Sequence, residues 1–162
     1  MSYMPKEHLI MFAIDTNILV YAHNTDSSLH KKAYSFITRV MNERDKEGNL
    51  SVCLPAQVLT EFLYVMTWQR LPKPISLLEA ISIIQDYVDT GVIIVNQCET
   101  HILTFLKLLR SVTSRKKVFD VALAAVLKDN GISGLYTVNV DDFKEFDFLT
   151  VVNPLSTPEI DA

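Results

Sequence analysis

Short, fully apolar runs alternate along the chain with longer stretches in which apolar residues recur at helical spacing. The first run, Leu9 to Ile14, predicts a strand that is buried on both faces. Similar runs predict four more strands, at 50–54, 92–95, 134–138 and 148–152. Strands that alternate with helices are typical of a parallel sheet covered on both faces. The pattern therefore predicts an α/β fold with three layers, α/β/α, around a central, mostly parallel sheet of five strands.

The stretches between these runs predict the helices. Apolar residues at helical spacing predict one helix from His30 to Lys46 and another from Ala56 to Arg70. Ser76 followed by Glu79 forms a capping-box pattern, which marks the start of a further helix. The stretch from Lys116 to Asn130 is strongly apolar and predicts a buried helix.

Composition places the chain among ordinary globular proteins. With 162 residues, of which 49% are hydrophobic, the chain is expected to form one domain over 1–162, with flexible ends at 1–8 and 155–162. The formal net charge of −4 argues against binding of nucleic acid over the whole protein surface. A nucleic-acid partner would instead meet a local basic patch, or a metal ion that reverses the local charge.

The two cysteines and the length of the apolar runs bear on location. Cys53 and Cys98 both lie among apolar residues, which favours two reduced core thiols over a disulfide or a metal site. Reduced thiols fit a cytoplasmic location. No run approaches the roughly 20 apolar residues that a membrane span requires, so no membrane association is expected.

Polar residues follow two of the predicted strands at the point where each strand ends. Asp15 follows the first strand, and Asn139 follows the fourth. Right-handed crossovers bring the carboxyl ends of parallel strands to one edge of the sheet, and ligands bind there at the point where the strand order reverses. We therefore expect Asp15 and Asn139 to face a ligand at this edge, although Asp15 or Thr16 would also serve as the N-cap of the next helix.

Two further acids lie inside apolar helices. Asp120 has no polar face around it, which favours a functional or paired carboxylate. Glu61 has similar surroundings, but beside Gln57 it would also fit an exposed polar face. Carboxylates crowded together need a divalent cation to stay ionised, and hard oxygen ligands select Mg²⁺ or Mn²⁺ over zinc. Such a cluster is typical of phosphodiester hydrolysis by metal-activated water.

At these residues the chain resembles the PIN-domain family, particularly the bacterial VapC-type toxin ribonucleases. The resemblance runs from about Leu9 to Pro154. Each motif is short, but their occurrence in this order is fairly specific. The motifs are Ile14-Asp15-Thr16-Asn17-Ile18-Leu19, Thr60-Glu61, Phe119-Asp120-Val121-Ala122-Leu123-Ala124-Ala125, Thr137-Val138-Asn139-Val140-Asp141-Asp142-Phe143 and Val151-Val152-Asn153-Pro154.

The resemblance implies an endoribonuclease that depends on Mg²⁺ or Mn²⁺. By match, the metal ligands are Asp15, Glu61 and Asp120. Asn17 resembles an orienting residue beside the first acid, and the hydroxyl of Thr16 or Thr137 would assist the water or the phosphate. The resemblance also implies a homodimer, with the helices 30–46 and 56–70 as a dimer face, and a small antitoxin protein that covers the acidic groove.

The chain departs from the family pattern at the fourth acid. Family members often carry Asp two residues after the threonine of the fourth strand, where this chain has Asn139. Asp142 lies nearby and is an alternative source of this charge, whereas Asp141 is expected to be solvated. The departure puts a second metal ion in doubt, and three acids would still hold one.

Other features leave alternatives open. Arg115, Lys116 and Lys117 precede Asp120 and are expected either to contact RNA phosphates or simply to form a solvated helix start. The substitution at Asn139 also fits a non-catalytic PIN scaffold that binds RNA or protein. A phosphatase with an aspartyl nucleophile is disfavoured, because the second acid that its pattern requires is replaced by Asn17.

Overall fold

Five short strands lie side by side in one sheet, and every pairing between them is parallel. The computed structural model describes residues 10–156. The strands are β1 (Phe12–Ile14), β2 (Val52–Pro55), β3 (Ile93–Val95), β4 (Gly134–Tyr136) and β5 (Thr150–Val152). They lie in the order β3-β2-β1-β4-β5, which confirms the predicted five-stranded parallel sheet.

Six α-helices form the two outer layers. They are α1 (Thr16–His23), α2 (His30–Val40), α3 (Ala56–Met66), α4 (Leu77–Asp89), α5 (His101–Leu109) and α6 (Val118–Asp129), with 3₁₀ turns at Arg115–Lys117 and Val140–Phe143. Helix α1 packs on α2 and α3, α3 packs on α4, and α5 packs on α6. Right-handed crossovers place α1 to α4 on one face of the sheet and α5 and α6 on the other. The predicted three-layer architecture is confirmed.

The strand order reverses between β1 and β4, at the centre of the sheet. The N–H of Asp15 donates to the carbonyl of Tyr136 at 2.9 Å, and the N–H of Thr137 donates to that of Val152 at 3.0 Å. The residues that directly follow β1 and β4 are therefore held in the hydrogen-bond pattern of the sheet. Asp15 and Thr137 lie next to each other at this switch point, where ligands of such sheets bind.

The core fills the space between the sheet and the two helical layers. Helix α6 is apolar on nearly every side and buries Val121, Leu123, Ala124, Ala125, Val126 and Leu127. Leu155 is only 4% exposed, so the packed core reaches into the end predicted at 155–162. Residues 1–8 and 157–162, where flexible ends are predicted, lie outside the described residues.

Helix α2 ends at Val40, so its predicted extension to Lys46 is wrong. The carboxylate of Asp45 accepts from the N–H of Glu47 at 3.0 Å and from that of Asn49 at 2.8 Å. These bonds close a turn in which Gly48 has a φ of 83°. Side-chain bonds to nearby backbone compete with helix formation, and here the turn replaces the last helical residues.

Helix α3 ends at Met66, four residues before the predicted end at Arg70. The hydroxyl of Thr67 donates to the carbonyl of Leu63 at 2.7 Å. The N–H of Ile75 donates to the carbonyl of Met66 at 3.1 Å, which turns the chain back toward α4. The carbonyls at the end of α3 are thus satisfied without another helical turn.

The capping box that begins α4 is present as predicted. The hydroxyl of Ser76 accepts from the N–H of Glu79 at 3.1 Å, and the Glu79 carboxylate accepts from the N–H of Ser76 at 3.0 Å. We expect Ser76→Ala to lower the free energy of unfolding by about 1 kcal/mol, because one N-terminal donor loses its acceptor. Urea denaturation measures this difference. Ser82→Ala, an exposed change on the same helix, serves as control; an equal loss there would exclude the cap as the cause.

Both cysteines are free thiols, and the core prediction holds fully for one of them. Cys53 is buried, which raises the pKa of its thiol to about 12, whereas Cys98 is half-buried. Within residues 10–156, none of the helices combines the length and the apolar character needed to cross a membrane.

Candidate active site

An open cleft of about 310 Å³ lies at the carboxyl edge of the sheet, beside the switch point. The three acids predicted to act together, Asp15, Glu61 and Asp120, all line it. The other residues that line it are Thr16, Asn17, Val20, Tyr21, Val65 and Asn139. Four elements contribute to this cleft: the end of β1 with α1, helix α3, helix α6 and the segment after β4.

Asp15 is held firmly by its neighbours. Its Oδ1 accepts from the N–H of Thr16 at 2.7 Å, so Asp15 is the N-cap of α1 as well as part of the cleft. Its Oδ2 accepts from the hydroxyl of Thr137 at 2.8 Å and, more weakly, from Nδ2 of Asn17 at 3.5 Å. Burial raises the pKa of Asp15, and the bonds from Thr137 and Thr16 oppose this increase.

Thr137 connects the segment after β4 to the cleft. Its side chain is fully buried, and its hydroxyl accepts from Nδ2 of Asn17 at 3.2 Å and from the N–H of Asn139 at 3.1 Å while donating to Asp15. Asn17 also accepts from the N–H of Val138 at 3.4 Å. Thr137 and Asn17 thus fix the orientation of the Asp15 carboxylate. A role for the Thr137 hydroxyl in assisting the water or the phosphate stays a prediction, because that hydroxyl is engaged with Asp15.

Glu61 projects from α3, and both of its carboxylate oxygens accept hydrogen bonds. The hydroxyl of Thr16 donates to Oε2 at 2.7 Å, and Nε2 of Gln57 donates to Oε1 at 3.2 Å. Gln57 also donates to the carbonyl of Phe119 at 3.2 Å, which joins α3 to the start of α6. Glu61 is partly exposed and lies beside Gln57, as the polar-face alternative expects, but both of its carboxylate oxygens also accept hydrogen bonds at the cleft.

Asp120 lies in the first turn of α6, where the helix dipole favours a negative charge. Burial and the nearby carboxylates of Asp142, Asp15 and Glu61 raise its pKa to about 6, while Lys117 opposes this increase. The charges of the four acids therefore act on one another across the cleft.

The segment after β4 divides between the cleft and an adjoining cavity. Asn139 lines both, whereas Asp141 and Asp142 line only the adjoining cavity. Asp142 is close enough to raise the pKa values of Asp15 and Asp120. Asp141 is solvated as predicted: its side chain is 85% exposed and pairs with Lys144.

The basic residues predicted to contact RNA occupy the 3₁₀ turn before α6. Arg115 and Lys116 are exposed, and the N–H of Lys116 donates to the Ser114 hydroxyl, which caps the turn. Lys117 is partly buried, and its Nζ lies 3.1 Å from a carboxylate oxygen of Glu145. Two of the three cations are thus directed to solvent near Asp120, and the third is paired.

The sequence pattern places Gln57 beside Glu61 only as part of an exposed polar face, and it does not predict Val65 and Tyr21 in the wall of the cleft. Gln57 and Val65 each lie four residues from Glu61, and Tyr21 lies four residues from Asn17. Residues four apart share one face of a helix. Counting this spacing outward from each acid or amide would have found all three.

The donor set in the cleft fits a hard divalent cation. It consists of three carboxylates together with hydroxyls and amides, the oxygen donors that Mg²⁺ and Mn²⁺ prefer. Burial and, after it, the neighbouring negative charges raise the pKa of Asp120. Among residues 10–156, however, no group of three His, Cys, Asp or Glu side chains is arranged to hold a metal ion as they stand. The carboxylates of Asp15 and Glu61 are turned toward hydrogen-bond donors instead.

Comparisons with known proteins agree with this fold. Ribonuclease VapC24 of Mycobacterium tuberculosis is 27% identical over 150 residues, which cover 91% of this chain and 99% of the relative. VapBC2 from Rickettsia felis, bound to a DNA fragment from its promoter, shares the fold with a TM-score of 0.59 at 18% identity, over 89% of this chain and 98% of that one.

Two further solved structures share the fold. VapC20 of Mycobacterium tuberculosis, a sarcin–ricin loop cleaving toxin, gives a TM-score of 0.58 at 17% identity, over 81% of this chain and 92% of its own. FitAB bound to a DNA fragment gives a TM-score of 0.62 at 14% identity, over 93% of this chain and 99% of its own. The PIN domain family model matches residues 12–149, most of the chain. The fold, the acidic cleft and this match together establish that the chain belongs to the PIN-domain family.

Proposed function

We propose that this chain is an endoribonuclease that depends on Mg²⁺ or Mn²⁺ and acts as the toxin of a toxin–antitoxin pair. The observation that carries the proposal is the convergence of Asp15, Glu61 and Asp120, from three separate helices or strand ends, on one open cleft. The similarity to Ribonuclease VapC24, which extends over nearly the full length of both proteins, supports RNA as the substrate.

Asp15, Glu61 and Asp120 are the residues that would hold the cation. A bound divalent ion lowers the pKa of water and stabilises negative charge on the leaving oxygen. Holding it requires the carboxylate of Glu61 to share its present bond with the Thr16 hydroxyl or to turn away from it. The proposal therefore includes a change of side-chain orientation on metal binding, within a backbone that is already in place.

The remaining polar residues of the cleft act on these acids or on the substrate. The hydrogen bonds of Thr137 and Asn17 hold the Asp15 carboxylate in a fixed orientation, as residues that surround a metal ligand commonly do. The hydroxyl of Thr16 lies at the cleft and is placed to donate to a phosphate oxygen when it releases Glu61. Asn139 takes the place of a fourth acid as a neutral ligand or donor, and Asp142 supplies negative charge from the adjoining cavity.

The RNA backbone would approach over the start of α6. Arg115 and Lys116 are exposed there and would contact phosphates, while Lys117 remains paired with Glu145. With a net charge of −4, the chain has only such local cations to offer the RNA. The affinity for RNA should therefore fall only slowly as salt is added, because few phosphate contacts are made.

The proposed partners are a second copy of the chain and a cognate antitoxin, and the proposed location is the cytoplasm. Helix α3 and the residue that follows its C-cap expose large aromatic side chains, Tyr64 at 78% and Trp68 at 51%, which suits an interface between copies. A chain of a toxin–antitoxin complex from Klebsiella pneumoniae has a similar fold, with a TM-score of 0.58 at 15% identity, which supports an antitoxin here. Two free thiols are compatible with a reducing compartment.

Cleavage of single-stranded RNA by the purified chain tests the proposal. We expect endonucleolytic products in Mn²⁺ or Mg²⁺ and none in EDTA, with activity restored when the metal is added back. Heat-inactivated protein and a preparation from cells without the gene exclude a contaminating nuclease. If clean, folded protein binds RNA but cleaves nothing with either metal, the chain is a non-catalytic PIN scaffold, the alternative that Asn139 favours.

A further inference from the structure

A further cavity of about 370 Å³ is lined by Gln57, whose side chain also contacts Glu61 of the acidic cleft. It is formed where β3 ends and α3 begins, at the same edge of the sheet. Its walls are Ala56, Gln57, Val95, Asn96, Gln97 and Val126. The volume falls within the roughly 300–1,000 Å³ of typical small-molecule sites.

Gln57 connects this cavity to the acids. Its Nε2 donates to the Glu61 carboxylate and to the carbonyl of Phe119, both at 3.2 Å. One side chain therefore lines the cavity and also touches a proposed metal ligand. A polymer strand whose phosphate lies in the cleft would bring its adjacent unit to this cavity.

The lining is neutral and has two kinds of surface. Ala56, Val95 and Val126 supply apolar contact, and the amides of Gln57, Asn96 and Gln97 supply donors and acceptors. None of these side chains carries a charge, so the cavity has no counter-ion for a phosphate or a metal. Its chemistry suits a flat, neutral, polar-edged group such as a nucleobase.

The two loop amides are available to a ligand, and the loop that carries them is fixed. Asn96 and Gln97 are exposed, and their side chains have no hydrogen-bond partner within the part of the chain that the structure describes. Nδ2 of Asn130 donates to the backbone carbonyl of Asn96 at 2.9 Å and to that of Val126 at 2.8 Å. These two hydrogen bonds from one amide hold the loop after β3 against the end of α6.

We propose that this amide-lined cavity binds an unpaired nucleobase of the RNA, next to the phosphate that is cleaved. The inference rests on the proposed function, and it assigns the base preference of the enzyme to Asn96 and Gln97. Single-stranded RNA is recognised through the exposed edges of its bases. An amide offers one donor and one acceptor side by side, and any unpaired base can match this pair on its Watson–Crick edge. Adenine presents such a pair on two edges, N6 with N1 and N6 with N7, so adenine is the base we expect.

Binding of labelled, single-stranded 12-nucleotide homopolymers to the metal-free protein in EDTA tests the inference by fluorescence anisotropy. We expect the wild-type chain to bind oligo(A) about tenfold more tightly than the other homopolymers. The double variant Asn96→Ala, Gln97→Ala should lose this preference and keep the weaker, base-independent binding. Gln85→Ala, an exposed amide on α4 outside both cavities, is the matched control and should behave as wild type.

The same variants in the cleavage assay separate the two proposals. Base-selective binding without cleavage in Mn²⁺ would refute the nuclease and leave the base site standing. Cleavage at the same positions by wild type and double variant would refute the base site and leave the nuclease standing. An unchanged homopolymer preference in the double variant, or equal wild-type affinity for all four homopolymers, also overturns the base site. Absence of any RNA binding by the wild-type chain in EDTA overturns the base site, and absence of cleavage in Mn²⁺ as well overturns both.

Discussion

We expect Asp120→Asn to lower the rate of RNA cleavage by about a thousandfold while the fold stays intact. The change removes the negative charge from an acid whose pKa is raised by burial and by three neighbouring carboxylates, and it preserves the size of the side chain. A neutral amide is a much weaker ligand for Mg²⁺ or Mn²⁺ than a carboxylate. Single-turnover cleavage of one RNA in saturating Mn²⁺ measures the loss.

Asp15→Asn is expected to have a similar effect on cleavage, and it is a better choice than Asp15→Ala. The alanine variant leaves the buried hydroxyl of Thr137 and the N–H of Thr16 without their acceptor. An unsatisfied buried donor costs about 1–3 kcal/mol, so loss of activity in Asp15→Ala would be confounded by loss of stability. Asparagine keeps an acceptor oxygen for the N-cap.

Metal binding provides a readout that does not depend on the RNA chosen. Mn²⁺ should raise the unfolding temperature of the wild-type chain, because a ligand that binds only the native state stabilises it, and this increase should be absent in Asp120→Asn. Asp141→Asn, a solvated aspartate at the same edge, is the control for both measurements. Full activity in Asp120→Asn, or equal loss in Asp141→Asn, would contradict the assignment of Asp120 as a metal ligand.

The sheet and the positions of the three acids are predictable because both follow from local contrasts along the chain. The apolar run before Asp15 stops abruptly at polar residues, which marks the carboxyl end of a strand. The handedness of parallel crossovers then brings such ends to one edge without further information. Asp120 stands out for a related reason, since a carboxylate in so apolar a helix needs a partner.

Other features depend on side-chain choices between residues that are distant in sequence. The role of Gln57 depends on Phe119, 62 residues away, and appears only when α3 and α6 are packed. The sequence indicates that Glu61 can reach the cleft, but its orientation is decided by competition among Thr16, Gln57 and a cation. The early end of α2 has a comparable cause, because the Asp45 turn competes locally with the helix.

The pKa of Asp120 predicts how the stability of the metal-free protein changes with pH. The ordinary aspartate pKa of 3.8, which applies to the unfolded chain, rises to about 6 in the folded chain. Between these values the folded state binds more protons, so the free energy of unfolding falls as pH rises from about 4 to 6. This penalty is absent below the lower value and complete above the upper one.

Asp120→Asn should remove that penalty. The variant's free energy of unfolding should therefore equal that of wild type near pH 4 and exceed it by roughly 1–2 kcal/mol at pH 7. This range allows for solvent screening, because Asp120 is partly exposed. Urea denaturation in EDTA at several pH values measures the difference. Asp141→Asn should show the opposite sign, because Lys144 lowers the pKa of Asp141 and its carboxylate contributes stability above the unfolded pKa. The advantage of Asp120→Asn comes first from the burial of this carboxylate and then from repulsion by Asp142, Asp15 and Glu61, and a bound cation would relieve that repulsion. A stability difference that does not change with pH would contradict the raised pKa of Asp120 and with it the crowding of charge around this residue.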